Sequence, residues 1–279
     1  RTTLKQQLAA GARSFAAARQ AAVQALCPGA DIAALLDKPN NNLAVEYCKA
    51  IIEQNVEMQP IALPRQGADH GQALTESSHT AFASASALRA LWAEGGAAAM
   101  APYVPQKALK LYKQAEYDGK YTDFAVMGHC ELALLRAACT EQAPFAAVRG
   151  VSEGLEHRLE NAVRETASLP ALLDALTTVR YPRARMRRLA MDAALGYTAQ
   201  TPALPPYLHL LGARKEALPL PGETALPLSH SLARLARENE TCAQMAAAQS
   251  RASDLGALCR AKPEPMGGIY RQKIIFLTN

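Results

Sequence analysis

The sequence predicts an α-rich protein, and three observations support that fold class. Hydrophobic residues occupy 49% of the 279 positions but aromatic residues only 5%, because Ala and Leu supply most of the apolar content. Both are strong helix formers, and their modest size suits helices that pack closely. Apolar residues also recur at helical spacing through most of the chain, whereas only three short segments are typical of strands.

Two short helices are predicted first. Leu4–Leu8 has helical apolar spacing, and Gly11 then breaks the helix. Ser14 can cap a second helix, whose apolar side chains repeat over Phe15–Leu26 until Pro28 stops it.

A polar loop before a helix occurs twice in the next part of the chain. Lys38–Asn42 is predicted to be a loop that leads into a helix over Leu43–Ile52. Met58–Leu63 is short, apolar and flanked by prolines, which predicts a strand that delivers Arg65 to a loop. Small polar residues stand again at the next helix start, which opens at Ala83.

Beyond residues 100–105 the pattern changes to longer amphipathic helices, so we place a domain boundary there. The predicted helices are Gln106–Ala115, Thr122–Cys139, Leu155–Ala167, Leu169–Leu176 and Arg183–Leu195. Pro202–Pro206 is predicted to be a linker and Pro219–Pro227 a Pro-rich connection. Tyr207–Leu211 and Ile269–Phe276 are the two remaining strand candidates.

Charge, cysteine usage and hydropathy limit the class of protein. The formal net charge is +5 and the pI about 8.9, which is compatible with an anionic partner. The six cysteines form no C-x-x-C pair and no zinc-finger spacing, so we expect buried, reduced thiols and no metal site. No apolar run approaches the ~20 residues that span a bilayer, and the first residues do not resemble a signal peptide. These features predict a cytoplasmic protein without membrane contact.

The two helix starts, with Arg65 between them, predict an anion site. Helix N-termini offer unpaired N–H groups and partial positive charge to phosphates, and arginine adds a planar fork of donors. Ser84 and Ser86 could donate hydroxyls there, and Arg89 lies one turn further along the helix. The plainer interpretation is that Ser84 is an ordinary N-cap and Arg89 a solvated side chain. The asparagines around Asn40 have similar alternatives: they could bind an adenine edge or ribose, or only cap a helix.

A second cluster places five arginines within nine residues. They are Arg180, Arg183, Arg185, Arg187 and Arg188, and they run into a predicted helix. Over residues 149–188 there are eight arginines against five acids. This ridge of positive charge suits a phosphate backbone, but the acids near His157 could pair with the arginines instead. His157 itself could be a general base or a structural histidine. Spacing alone leaves these alternatives open.

Six separated segments form a recognisable series along the chain. They are Lys38–Asn41, Arg65, Ala83–Arg89, Glu153–Arg158, Arg180–Arg185 and Tyr207–Gly212. In this order they resemble the bacterial tRNA(Met) cytidine acetate ligase family, and the Gly-Leu-Glu-His-Arg and Arg-Tyr blocks are the most specific pair. No P-loop, dinucleotide-binding G-x-G-x-x-G turn or nucleophile elbow competes with that resemblance.

The resemblance implies an α-rich α/β fold with two domains. Residues 1–103 would be the latter part of a nucleotidyltransferase-like (HUP) α/β domain that binds ATP. Residues 104–279 would be a mainly helical tRNA-binding domain. Such an enzyme activates acetate with ATP as acetyl-adenylate and acetylates the wobble cytidine of elongator tRNA(Met) to N4-acetylcytidine, a reaction compatible with a Mg²⁺ ion.

The resemblance also implies site residues. The nucleotide-binding candidates are Asn40, Arg65, Ser84, Ser86 and Arg89. The tRNA-binding candidates are Arg158, Arg180, Arg183, Arg185 and Arg188. The family's histidine-containing phosphate motif would precede Arg1, so the catalytic residues are expected upstream. One alternative is a non-catalytic RNA-binding module that keeps only the helical half. A second alternative is a purely structural helical protein, which would have neither tRNA affinity nor ATP dependence.

Overall fold

The computed structural model describes residues 2–11, 15–28, 36, 39–63, 83–214, 216 and 224–277. The chain divides into two compact units. The first comprises residues 1–67 and 178–182, and the second comprises residues 68–177 and 183–279. The division into residues 1–103 and 104–279 stays a prediction.

The described part of the first unit contains helices α1 (Thr2–Ala9), α2 (Phe15–Leu26) and α3 (Pro39–Glu53). Gly11 follows α1 with a φ of +86°, a conformation that glycine adopts at low cost after a helix end. Ala18 and Ala22 lie one turn apart on α2, and both are buried. Arg19 on α2 pairs with Glu46 on α3 at 2.8 Å, so an ion pair joins these two helices.

Two predictions for the first unit are wrong. The asparagines predicted to lie in a loop form the first turn of α3, because Pro39 at the helix start has a φ already suited to a helix. Asn42 stabilises this start, since its side-chain amide donates to the carbonyl of Leu36 at 2.6 Å. The predicted strand Met58–Leu63 is irregular, and it pairs with no strand in the described residues. Pro60 has no N–H to give a neighbouring strand, and Leu63 is 87% exposed. The cap predicted at Ser14 and the loop at Arg65 lie outside the described residues.

The second unit begins with helices close to the predicted ones. In chain order they are α4 (Ala85–Ala99), α5 (Gln106–Asp118), α6 (Phe124–Ala138), α7 (Leu155–Glu165), α8 (Leu169–Leu176) and α9 (Arg183–Ala194), with a 3-10 turn at Ala101–Tyr103. Leu159 on α7 and Leu172 and Leu176 on α8 are completely buried, and each contributes roughly 2 kcal/mol of transfer free energy. A Cβ at Gly128 on α6 would touch Leu169 at 3.4 Å, so the glycine lets α6 and α8 approach closely.

Helix α4 contains a break at a pair of glycines. Gly96 has φ 67° and ψ −166°, a backbone region that is essentially restricted to glycine. The N–H of Ala97 then starts the last turn and donates to the Glu116 carboxylate on α5 at 3.1 Å. A Cβ on Gly96 would collide with that carboxylate. The absence of a side chain at Gly96 therefore allows Glu116 on α5 to accept from the N–H that starts the last turn of α4.

Short parallel strands form two pairs among the described residues that follow Tyr207. Strand β1 (Leu208–His209) pairs with β3 (Leu228–Ser229), and β2 (Gly212–Arg214) pairs with β4 (Ile275–Leu277). The predicted strand Tyr207–Leu211 is confirmed in its centre. Only the end of the predicted strand Ile269–Phe276 is correct, because Gly268–Arg271 forms the short helix α12.

Two helices in the same region were not predicted: α10 (Leu232–Leu235) and α11 (Glu240–Leu258). Asn239 caps α11, since its side-chain oxygen accepts from the N–H of Cys242 at 2.9 Å. The side chains that α11 buries are small, including Cys242, Ala246 and Ala257, so large apolar residues do not mark its face. Although α11 has 19 residues, no described helix is apolar enough over such a length to cross a membrane.

Candidate functional site

The N-terminus of α4 brings two predicted nucleotide-binding residues together. Ser84 is the N-cap, with its hydroxyl oxygen accepting from the N–H of Ala87 at 3.2 Å. The hydroxyl of Ser86 lies 3.3 Å from that of Ser84. The N–H groups of Ala85 and Ser86 meet no acceptor among the described residues. Two hydroxyls and two unpaired N–H groups therefore converge at the positive end of a helix dipole.

Arg89 extends the same N-terminal region by one helical turn. Its side chain is exposed and pairs with no carboxylate in the described part of the chain. With Ser84 and Ser86 it forms a set of donors suited to phosphate oxygens. The plainer interpretation of Ser84 as an N-cap is confirmed, and this role leaves the Ser86 hydroxyl and the Arg89 guanidinium available to an anion.

The remaining nucleotide-binding candidates belong to the first unit. Asn40 is exposed in the first turn of α3. Arg65 lies outside the described residues. Their assignment to a nucleotide stays a prediction.

Ser84→Ala and Ser86→Ala are expected to separate capping from binding. Ser84→Ala should lower the free energy of unfolding by about 1 kcal/mol, because it removes the only side-chain acceptor at the described start of α4. Ser86→Ala should leave stability within about 0.5 kcal/mol of the parent, since Ser86 caps nothing in the helix. Urea unfolding of both variants checks this, and an equal loss of stability would contradict the assignment of the cap.

The predicted tRNA-binding arginines have different surroundings. Arg183 begins α9 and pairs with Asp174. Arg185 donates to the carbonyl of Gly150 at 3.4 Å. Arg188 is exposed and pairs with no described carboxylate. In the first unit, the Arg180 guanidinium lies 5.6 Å from the ring centre of Tyr181.

Ion pairs in the described structure join three arginines of residues 149–188 to Asp192, Glu160 and Asp174, which are not the acids suggested from the sequence. Arg149 makes two hydrogen bonds to Asp192, at 2.6 and 2.7 Å. Arg164 pairs with Glu160 at 2.8 Å, and the third is the Arg183 pair. Positive charge without a neutralising partner is therefore more limited than the sequence count suggests.

Several arginines serve instead as donors to the ends of neighbouring helices. Arg158 on α7 donates to the Ala175 carbonyl near the end of α8 at 2.7 Å. Arg136 donates to Thr166 at the end of α7, and Arg164 to Cys139 at the end of α6. The last carbonyls of a helix need such donors. Arg158 thus has a structural role, and its contact with tRNA stays a prediction.

Glu131 is a notable residue that sequence reasoning missed. It lies on α6 with 1% of its surface exposed, and neither carboxyl oxygen has a hydrogen-bond partner in the described structure. Burial raises the pKa of this carboxyl to about 7, and the nearby positive charge of Arg187 on α9 partly opposes the rise. The sequence signal for Glu131 is an acidic residue inside the largely apolar segment of α6, directly before Leu132. His157, by contrast, is 75% exposed in its side chain and lies 3.9 Å from Glu156.

The described residues contain no group of three or more His, Cys, Asp or Glu side chains that could hold a metal ion. The N-terminus of α4 offers N–H groups, hydroxyls and an arginine, which fit phosphate oxygens rather than a cation.

Comparison with known proteins finds one matching family model and several relatives that share a name. The family model described as HIGH Nucleotidyl Transferase matches residues 1–266. A tRNA(Met) cytidine acetate ligase of Listeria monocytogenes is 31% identical over 186 residues, covering 65% of this chain and 45% of that protein. One from Bacillus velezensis is 27% identical over 222 residues, covering 76% and 52%. The chain spans about half the length of these curated relatives.

Two crystal structures of Thermotoga maritima TmcAL share the fold. The apo form matches with a TM-score of 0.82 and 21% identity, over 99% of this chain and 70% of that one. The form bound with alpha-thio ATP gives a TM-score of 0.81 and 20% identity over the same shares. The predicted α-rich, nucleotidyltransferase-like fold class is confirmed by these similarities.

Proposed function

The chain belongs to the HIGH Nucleotidyl Transferase family, and on that premise we propose that it acts as an ATP-dependent tRNA(Met) cytidine acetate ligase in the cytoplasm. The curated relatives carry that name, and one of the TmcAL structures holds an ATP analogue. The sequence segments that resemble the ligase family support the same assignment.

One structural observation carries the proposal: the donor set at the N-terminus of α4. Ser84 is 6% exposed and holds the helix start in place, while the exposed Ser86 and Arg89 side chains can reach an anion. ATP phosphates would accept from the unpaired N–H groups of Ala85 and Ser86 and from the Arg89 guanidinium. The two N–H groups are held in place by the helix before ATP arrives, so they need little reorganisation on binding.

The chemistry is acyl activation followed by acyl transfer. A carboxylate oxygen of acetate attacks the α-phosphorus of ATP, and pyrophosphate leaves with the electron pair of the broken bond. The exocyclic amine of the wobble cytidine then attacks the acetyl carbonyl, the bond to AMP breaks so that AMP leaves with its electron pair, and the amine loses a proton to solvent. Both leaving groups are anions, so donors such as Arg89 would stabilise charge as it develops. A Mg²⁺ ion bound by the phosphates would neutralise further charge.

The RNA would contact the arginines in and after the Arg-Tyr block, which starts at Arg180. Arg188 is exposed on α9, and Arg183 and Arg185 lie on the same helix. Guanidinium groups suit phosphate oxygens because of their planar pair of donors. Arg158 on α7 completes the proposed set in the second unit. For the first unit, the family resemblance alone supports the proposal that Arg180 contacts RNA and that Asn40 and Arg65 contact the nucleotide.

Arg89→Gln is expected to reduce acetate-dependent pyrophosphate release by roughly tenfold or more, because a charged hydrogen bond to phosphate contributes about 1.5–3 kcal/mol. Ser86→Ala should give a smaller loss. Arg237→Gln is the matched control, since Arg237 is also exposed but far along the chain. The assay would use the chain with whatever coding sequence precedes Arg1. Salt-sensitive tRNA binding without any acetate-dependent pyrophosphate release would favour the non-catalytic RNA-binding module.

A further inference from the structure

Helix α5 has one packed face and one exposed face. Ala108, Leu109, Ala115 and Glu116 are partly buried and share one side of the helix. The opposite side presents a surface that we call the lysine face, consisting of Lys107, Lys110, Lys113, Gln114 and Tyr117. Its members recur every three or four residues, so they lie next to one another along about three turns.

The positive charge of the lysine face is not neutralised within the described chain. Lys107, Lys110 and Lys113 pair with no described carboxylate. The two acids of α5 are engaged elsewhere: Glu116 accepts from the N–H of Ala97, and Asp118 accepts from Gln114 and lies 3.6 Å from Lys120. Three adjacent cations therefore face solvent on one short helix.

An aromatic ring is held at the C-terminal end of the same face. Tyr117 is 78% exposed, and the Lys262 ammonium lies 5.5 Å from its ring centre. That ammonium also donates to the Tyr117 carbonyl at 2.8 Å, and the Lys262 N–H donates to the Gly119 carbonyl at 3.2 Å. The backbone thus fixes a fourth cation beside an exposed ring.

We propose that the lysine face is an RNA-binding surface separate from the arginines of α9, with lysines on phosphates and Tyr117 stacked on an unpaired base. Interleaved cations and an exposed ring are the combination that single-stranded RNA loops require. An acidic protein would match the charge, but it would leave the ring without a planar partner. The inference rests on the proposed function, which supplies tRNA as the ligand.

The test measures binding of an elongator tRNA(Met) transcript over a range of salt concentrations. The variant Lys107→Gln/Lys110→Gln/Lys113→Gln keeps helix propensity and removes three charges. The control Lys5→Gln/Lys49→Gln/Lys273→Gln removes three exposed lysine charges elsewhere. The first variant should weaken binding at least tenfold and flatten the slope of log K against log salt by about two to three, because each lost phosphate contact lowers it by about 0.7–0.9. The control should keep the parental slope.

Tyr117→Leu tests the ring separately. It should weaken tRNA binding by roughly fivefold or more with an unchanged salt slope, since stacking releases no counterions. Circular dichroism of each variant shows whether α5 remains folded.

Three results would overturn the inference. The first is equal tRNA affinity in the lysine variant and its control. The second is a lysine variant that loses binding to anionic vesicles but keeps its binding to tRNA, and the third is a parent protein that does not bind tRNA. Failure of the proposed function has a different signature, namely no acetate-dependent pyrophosphate release while the lysine variant still loses tRNA affinity.

Discussion

Gly96→Ala is expected to destabilise the second unit by roughly 3 kcal/mol or more, through three contributions. The backbone at Gly96, with φ 67° and ψ −166°, is costly for any residue with a Cβ. The new methyl group would also collide with the Glu116 carboxylate. Moving that carboxylate breaks its hydrogen bond from the Ala97 N–H, which leaves the N–H at the start of the last turn of α4 without an acceptor.

Two other glycines provide matched controls for Gly96→Ala. Gly196 has a φ of +68° but nothing within 4 Å of its Cβ position, so Gly196→Ala reports the cost of a positive φ without a side-chain collision. Gly256 lies inside α11 with open space around it, and Gly256→Ala should stabilise by about 0.5–1 kcal/mol. Urea unfolding gives the three free energies. If Gly96→Ala lowers the free energy of unfolding no more than Gly196→Ala does, the contact with Glu116 does not contribute to stability.

Glu131→Gln is expected to make the protein more stable than the parent at pH 8 and not at pH 4. The pKa of Glu131 is raised in the folded protein from 4.5 to about 7, so the folded state favours the protonated acid. Its contribution to stability is complete below the unfolded pKa and is lost as pH rises through about 7. The parent should therefore lose about 3 kcal/mol between these two pH values, a loss that the neutral glutamine avoids.

Unfolding in urea at a series of pH values measures the difference between Glu131→Gln and its parent. Glu165→Gln is the control, because Glu165 is an exposed acid on α7. Arg187→Gln should shift the transition to higher pH, since Arg187 favours the ionised acid. A difference that does not change with pH would mean that Glu131 finds a partner when it is ionised.

Local sequence signals predicted most helices of the second unit. The bounds of α8 match the prediction, because Ser168, Pro170 and four leucines mark its start and buried face. Helix α11 was missed because its buried residues are mainly Ala and Cys, which carry little periodic contrast. The segment Met58–Leu63 has strand-like composition, but a strand also needs a partner, and pairing is a property of the whole fold.

In the candidate site too, features set by neighbouring residues could be predicted, whereas features set by contacts between distant elements could not. The cap at Ser84 could be predicted, because capping depends on residues three positions apart. The environments of Arg158 and Glu131 could not be predicted from the sequence. Arg158 donates to a carbonyl at the end of α8, and Glu131 is buried near Arg187 on α9. Charge counts in sequence likewise overstate the available arginines, because Arg149 pairs with Asp192, an acid 43 residues away, and Arg183 pairs with Asp174 on the preceding helix.

The N4-acetylcytidine content of elongator tRNA(Met), measured by mass spectrometry after incubation with the protein, ATP and acetate, tests the proposed function most directly. The protein would include any coding sequence upstream of Arg1. We expect acetylation of the wobble cytidine only when ATP and acetate are both present, with a strong reduction in Arg89→Gln. Unmodified tRNA in the complete reaction, despite tRNA binding by the same protein, would contradict the ligase assignment.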